Sequence, residues 1–175
     1  MSRARSNRLR YAGVLPYSYD RKGKLVFLLG KEKNGTWSDW GGAVEYGESG
    51  LNAAAREAYE ESMGMLGSRS HIRQSISYLH RISLPSSARA AMYLMHIPLD
   101  PLLETRFDAV WNYVKACDER SSCPKGWLEK SAAAWIRADR LFSLRLSLHA
   151  QLPLRSSFRN SLEWIEASVR RYRLM

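Results

Sequence analysis

The chain has 175 residues, a length that suits one compact domain with a hydrophobic core and is short for two ordinary domains. Hydrophobic residues make up 45% of it and charged residues 25%, which is average for globular proteins and argues against a disordered chain. Lys and Arg number 27 and Asp and Glu 17, so a formal net charge of +10 either keeps the protein in solution or attracts a polyanion such as a polyphosphate or nucleic acid.

Four arginines lie within residues 1–10, and we interpret this stretch as a basic N-terminal arm ahead of a single domain over residues 11–175. The arm lacks the apolar segment of a secretory signal, and no apolar run approaches the roughly 20 residues that cross a bilayer. Cys117 and Cys123 form no CxxC pair and have no pair of histidines nearby, which indicates neither a zinc site nor a disulfide framework. We therefore expect a soluble cytoplasmic protein with no membrane partner, and its oligomeric state stays open.

The domain begins with two predicted strands. Tyr11–Tyr17 and Leu25–Gly30 are apolar and are separated by a polar stretch with a glycine, which is typical of a hairpin. Trp37–Trp40 then leads into the pair Gly41–Gly42, where the absence of side chains lets the backbone bend closely.

A helix is predicted next. Ser49–Met63 is rich in alanine and favours a helix, for which Gly64 offers a left-handed stop. Ser75–Leu84 and Ala90–Ile97 are then interpreted as two further strands that resume the sheet.

For the rest of the chain we predict mostly helices, which are added to the domain on its C-terminal side. Pro101–Lys115 and Ser157–Tyr172 carry apolar residues at spacings of three and four, which predicts amphipathic helices. Between them we expect a polar loop over Asp118–Gly126, a short strand over Ala132–Ile136 and a helical turn over Ala138–Leu146. The organisation is a mixed sheet flanked by helices.

Three glutamates on the first helix are the main candidates for chemistry. Glu57, Glu60 and Glu61 stand at positions i, i+3 and i+4, which places them on one helix face. Clustered carboxylates suit hard cations such as Mg²⁺ and Mn²⁺, although a solvated helix surface explains the triplet as well.

A longer motif surrounds these glutamates. Five residues separate Gly42 from Glu48, seven separate Glu48 from the pair Arg56-Glu57, and two separate that pair from Glu60-Glu61. As written here the motif is GAVEYGESGLNAAAREAYEES, and it resembles the Nudix box. Ala58 stands at the aliphatic position of the family pattern.

One position departs from that pattern. The family usually has a glycine two residues after the paired glutamates, where this chain has Met63, and glycine follows at Gly64. We expect the helix to run one residue longer, with the glutamates unmoved.

The resemblance implies an α/β fold, the α/β/α sandwich of Nudix proteins around a mixed β-sheet. It further implies that Glu57, Glu60, Glu61 and the main-chain carbonyl of Gly41 hold Mg²⁺ or Mn²⁺. A salt bridge between Glu48 and Arg56 would fix the loop against the helix, and misplaced ligands would forfeit the effect of the metal.

The general base and the substrate contacts are less well defined by the resemblance. Glu61 is the first candidate for the base, and Glu129 is the candidate outside the box, for which a surface salt bridge is an equal explanation. Arg10 and Lys31 are candidates to meet phosphates. Three aromatic residues are candidates to stack on a base, although each also suits the core: Trp37, Trp40 and Tyr17.

The function implied is hydrolysis of a phosphoanhydride bond in a nucleoside diphosphate derivative, such as a nucleotide or a capped RNA 5′ end. The positive charge makes RNA a possible partner, and a highly phosphorylated inositol would be attracted equally. The alternatives are therefore an inositol pyrophosphate hydrolase and a catalytically silent module that binds nucleic acid.

Overall fold

The computed structural model describes residues 8–76, 80–118, 123–124, 126–145 and 152–175. Most of the basic arm, residues 1–7, therefore lies outside the described residues. The strands of the described part are β1 (Tyr11–Tyr19), β2 (Leu25–Glu32), β3 (Trp37–Ser38), β4 (Trp40–Ala43), β5 (Ala90–His96) and β6 (Lys130–Arg137). Its α-helices are α1 (Gly50–Glu61), α2 (Arg69–Ser75), α3 (Leu103–Asp118), α4 (Ala138–Ser143) and α5 (Ser156–Arg171).

The strands form one mixed sheet with β1 at its centre. β1 runs antiparallel to β2 and β4 and parallel to β5, with Tyr11 opposite Ala90 and Tyr17 opposite His96. β2 in turn pairs antiparallel with β3 and β6. The predicted hairpin is confirmed, and the carboxylate of Asp20 closes its turn by accepting the N–H groups of residues 22 and 24.

Helices cover both faces of the sheet because side chains alternate along each strand. Val14 and Leu28 point to the face covered by α1, α2 and α3. Leu15, Phe27 and Leu29 point to the opposite face, which α4 and α5 cover. The predicted α/β/α sandwich around a mixed sheet is confirmed.

The box helix α1 starts and ends through local chemistry. The side chain of Ser49 accepts the N–H of Asn52 at 3.2 Å, which caps the helix. Met63 has φ 54° and Gly64 has φ 79°, so both residues are left-handed. Gly64 supplies the predicted stop, but the predicted extra residue of helix is wrong because α1 already ends at Glu61.

The predicted strand over Ser75–Leu84 is wrong. Ser75 is the last residue of helix α2, which Ser68 caps through the N–H of His71. Residues 77–79 lie outside the described part, and Arg81 makes an isolated antiparallel bridge to Tyr93. The described residues of this segment therefore form no strand and meet the sheet at the Arg81 bridge.

The remaining predicted elements are confirmed with shifted ends. The strand predicted over Ala90–Ile97 is β5, the helices correspond to α3, α4 and α5, and the short strand over Ala132–Ile136 is part of the longer β6. Most of the expected loop over Asp118–Gly126 lies outside the described residues. None of the helices described is both long and apolar enough to span a bilayer.

Candidate active site

The glycine pair of the motif lies on β4, between β1 and the box helix. A β-carbon at Gly41 would lie 2.3 Å from Cα of Gly13, and a β-carbon at Gly42 would lie 2.6 Å from the carboxyl group of Glu57. Both distances are far shorter than a van der Waals contact. The two glycines therefore let β1 and α1 approach the same short strand from two sides.

Arg56 joins the loop before α1 to the glutamates of the helix. Its Nε and Nη2 donate to the two carboxylate oxygens of Glu48 at 3.1 and 3.0 Å, and Nη2 also donates to the carbonyl of Ala43 at 2.9 Å. Its Nη1 donates to Glu57 at 2.8 Å and to Glu60 at 3.3 Å. The hydrogen bond to Glu48 is the main cause that raises the pKa of Arg56. The ion pair that the resemblance implies is therefore present.

The Nη1 atom of Arg56 donates hydrogen bonds to two carboxylates at once. It lies between Glu57 Oε1 and Glu60 Oε2, and the other nitrogens of the guanidinium are engaged elsewhere. Burial raises the pKa of Glu57, Arg56 opposes this, and the charges of Glu60 and Glu129 raise it further. The site has more negative charge than Arg56 alone offsets.

Helix α2 adds a second arginine to this surface. Arg69 donates to Oε1 of Glu60, and its guanidinium lies over the ring of Tyr59 at 5.4 Å. Each carboxylate oxygen of Glu60 thus faces one arginine, Oε1 facing Arg69 and Oε2 facing Arg56.

Glu61 points inward, away from the other two glutamates. Only 2% of it is exposed; Oε2 accepts the N–H of Gly41 at 2.7 Å, and Oε1 lies 3.4 Å from Nζ of Lys130. Burial raises the pKa of Glu61 to about 8, although the charge of Lys130 opposes the shift. In the described part of the chain, no three acidic, His or Cys side chains are arranged to hold a metal ion. The structure therefore does not gather the three predicted carboxylates into one cluster.

Lys130, which faces Glu61, is fully buried at the start of β6. Its Nζ donates to Glu32 at 2.6 Å and to Ser38 at 2.8 Å. The alkyl chain passes over Gly30, where a β-carbon would lie 2.9 Å from Cδ of the lysine. Burial acts to raise the pKa of Glu32, but Lys130 and its other partners lower it overall.

A second buried charge network continues from Glu32. Arg155 donates to Glu32 at 3.2 Å, to Asp39 at 3.2 Å and to the hydroxyl of Tyr11 at 2.7 Å. The Tyr11 hydroxyl donates to Asp39 at 2.9 Å. Burial raises the pKa values of both Tyr11 and Asp39, and Arg155 lowers each of them in part.

A cavity of about 440 Å³ opens beside this network, on the face of the sheet that α5 covers. Tyr11, Asp39 and Arg155 form its polar end, and Met92 and Trp164 belong to its apolar walls. The Tyr11 hydroxyl would lie 2.8 Å from a β-carbon at position 41, so the cavity ends next to the glycine pair. Cavities of this size with a few convergent polar groups are typical ligand sites.

The segment before β6 lies over Glu57 and Glu60, the two outer glutamates, which do not point inward as Glu61 does. A β-carbon at Gly126 would lie 2.9 Å from Cβ of Glu60, and Glu129 is exposed and close enough to raise the pKa of Glu57. Glu129 therefore lies on the open side of the box helix, where Glu57 and Glu60 also are.

The prediction that Trp40 stacks on a base does not fit its position. Trp40 is fully buried, its ring packs edge-on against Phe107 at 5.7 Å, and its indole N–H donates to the carbonyl of Leu28 at 2.9 Å. Trp40 is a core residue.

The other predicted substrate contacts lie at different ends of the sheet. Trp37 is half-buried, with the ammonium group of Lys31 6.0 Å from its ring centre. Arg10 is exposed beside the box loop, where its carbonyl accepts the N–H of Val44 at 3.1 Å. Tyr17 lies at the far end of β1. The structure thus leaves Arg10, Lys31 and Trp37 as candidates.

Sequence reasoning missed the inner residues of the site. Asp39 could have indicated a buried ion pair, because an acidic residue between two tryptophans in a short apolar run needs a partner when it is buried. Lys130 and Arg155 carry no comparable mark, since lysine and arginine at the end of a strand or before a helix are ordinary surface residues.

Comparisons with known proteins identify the family and the fold of the chain. The NUDIX domain family matches residues 8–109 of the chain. An Ap4A hydrolase of C. elegans is similar in structure, with TM-score 0.53 and 16% identity over 94% of this chain and 96% of that one. A MutT/nudix family protein from Enterococcus faecalis has TM-score 0.55 and 16% identity over 94% and 63% of the two chains. Another from Listeria innocua has TM-score 0.50 and 16% identity over 94% and 95%. At these identities the three structures share the fold, and no curated protein matches the sequence.

Proposed function

Because the chain belongs to the NUDIX domain family and is a hydrolase that acts on phosphoanhydrides, we propose that it depends on a divalent metal and cleaves a nucleoside diphosphate derivative. The observation that carries the metal dependence is the Arg56 nitrogen shared by Glu57 and Glu60 beside the glycine pair. This arrangement supports the proposal because two carboxylates that share one cationic nitrogen are close enough to share a metal ion.

The donor atoms at this place suit Mg²⁺ or Mn²⁺, since hard cations prefer oxygen ligands. Glu57 and Glu60 would hold the ion, with the carbonyl of Gly41 as a further ligand, and Glu61 would adjoin them from the buried side, where its Oε2 accepts the N–H of Gly41. Arg56 keeps Glu48 and the Ala43 carbonyl on Nε and Nη2, so the groups that an ion would displace from Glu57 and Glu60 are Nη1 of Arg56 and, at Oε1 of Glu60, the exposed Arg69. When bound, the ion activates water and neutralises charge on the pyrophosphate.

We propose that Glu129 takes the proton from the attacking water, with Glu61 as the alternative base. Glu129 is exposed beside Glu57, whereas both oxygens of Glu61 already face Gly41 and Lys130 on the buried side. A base has to reach the water by hydrogen bond, and the exposed glutamate meets that requirement more directly.

The cavity beside Tyr11 is proposed to receive the organic group of the substrate. Its apolar walls suit a flat base, and its polar end adjoins Gly41, next to the proposed metal ligands. Arg10 and Lys31 would contact phosphates outside it. Since one structural neighbour is an Ap4A hydrolase, dinucleoside polyphosphates are the first substrates to test, followed by nucleoside triphosphates and capped RNA.

The test is hydrolysis of a substrate panel with Mg²⁺ or Mn²⁺ and with a chelator, with the products identified by mass. The panel includes inositol pyrophosphates, so that the product also decides between substrate classes. Hydrolysis is expected only when the metal is present and not with the chelator. Glu57→Gln should lower kcat by about 10²–10³-fold. Glu163→Gln, an exposed glutamate on α5, is the matched control. Binding of RNA without hydrolysis of any substrate would instead indicate a silent binding module.

A further inference from the structure

Lys130 is the least expected side chain of the core, because lysine is almost never fully buried unless it is paired. It reaches Glu32 and Ser38 at hydrogen-bond distance, and Glu61 at 3.4 Å. The absence of a side chain at Gly30 makes room for its alkyl chain. The sequence thus provides both a buried ammonium group and the space that it needs.

This ammonium group faces the oxygen of Glu61 that the glycine pair does not use. Oε2 accepts the N–H of Gly41, and Oε1 faces Nζ of Lys130. Glu32 and Ser38 hold Nζ from the other side, and Arg155 holds Glu32 in turn. Both oxygens of the glutamate are therefore oriented, one by the backbone of Gly41 and the other by Lys130.

We propose that Lys130 is a positioning residue that fixes the carboxylate of Glu61 against Gly41 before substrate binds. The role rests on the proposed function, in which Glu61 supports the Gly41 side of the metal site, and it deepens that function by explaining how this inner glutamate is oriented. Lys130 itself has no exposed atom to offer a substrate. Its removal should therefore affect the rate of the bound complex more than substrate binding, because a misplacement of about 1 Å can cost about 10²-fold in rate.

Two variants separate positioning from folding. Lys130→Met removes the charge but leaves the partly buried Glu32 without its main partner, which by itself can destabilise the protein. The double variant Glu32→Met with Lys130→Met replaces the buried ion pair by apolar groups, a change that is often neutral for stability. A purely structural lysine would be dispensable in the folded double variant. Lys24→Met, at an exposed lysine in the first hairpin, is the control.

Two measurements are made on each variant. With Mg²⁺ and the best substrate of the panel, the double variant should lose about 10²-fold in kcat with little change in KM. Without metal or substrate, hydrogen exchange followed by NMR should speed up at the Gly41 amide by about tenfold or more, as expected when the hydrogen bond between Gly41 and Glu61 loosens, but not at the neighbouring Trp40 amide.

A folded double variant with wild-type kcat, or with an unchanged Gly41 exchange rate, would overturn the proposal. If the wild-type protein hydrolyses nothing in the panel, the proposed function fails, and the exchange rate of Gly41 still decides whether Lys130 orients Glu61.

Discussion

The carboxyl group of Glu57 lies directly against the backbone of Gly42, so close that a β-carbon at position 42 would stand 2.6 Å from it. The glycine of the box thus determines where the first glutamate of the helix can be. Because Glu57 also bonds Arg56, the contact links the sheet to the charged surface of α1.

Gly42→Ala should therefore displace Glu57 and lower kcat by about 10²-fold, with a loss of about 1–3 kcal/mol in the free energy of unfolding. Steady-state kinetics and urea denaturation measure the two effects. Ala43→Ser adds one atom at the next, exposed position and should leave kcat near the wild-type value. Wild-type turnover in Gly42→Ala would show that the contact does not position the glutamate.

Glu61 should make the stability of the protein depend on pH. Burial raises its pKa from 4.5 to about 8, so the folded chain binds this proton more tightly than the unfolded chain does. The associated stability is present below pH 4.5 and is lost as the pH rises towards 8. Glu61→Gln cannot ionise and should gain stability relative to wild type across this window.

Urea denaturation from pH 4.5 to 8.5 in a chelator tests this, with Glu163→Gln as the exposed control. A stability difference between Glu61→Gln and wild type that stays constant with pH would contradict a raised pKa for Glu61.

Arg155→Met should be strongly destabilising because it leaves Asp39 buried without its cation. Breaking a buried ion pair on one side typically costs about 3–5 kcal/mol. Arg171→Met, an exposed arginine in the last turn of α5, should change stability by less than about 0.5 kcal/mol. Equal unfolding free energies for the two variants would show that the ion pair between Arg155 and Asp39 contributes little to stability.

Gly64→Ala should destabilise the turn after α1 by about 1–2 kcal/mol, since φ at this position is 79° and the new β-carbon would lie 3.3 Å from the ring of Tyr59. Gly64→Asn should cost less, because asparagine tolerates the left-handed region better than alanine does. Thermal and urea unfolding compare the two variants, and an equal loss in both would point to crowding by Tyr59 rather than to backbone strain.

The features that depend on residues close together in the chain could be predicted from the sequence. The alanine-rich segment with Ser49 at its start makes α1 a helix, and the spacing of the box brings Arg56 onto Glu48. Gly64 is left-handed as predicted, because glycine adopts that conformation at little cost. These relations need at most a turn of helix or one loop to form.

Where local preferences conflicted, tertiary packing decided. The residues before Ser75 form helix α2 because Ser68 caps it and Ile72 packs into the core beside α1. A short segment with little periodicity does not reveal such a docking partner, so the start of the strand expected over Ser75–Leu84 was wrong: Ser75 belongs to α2.

The inner half of the site was decided by the tertiary structure alone. Lys130 meets Glu32 across 98 residues of sequence, and Arg155 meets Asp39 across 116. A buried charge is tolerated only where the fold brings its partner within a few ångströms, and no local pattern encodes that distance. The box therefore specifies the glutamates, and the packing of β6 and α5 against the sheet specifies which of them is buried and what it faces.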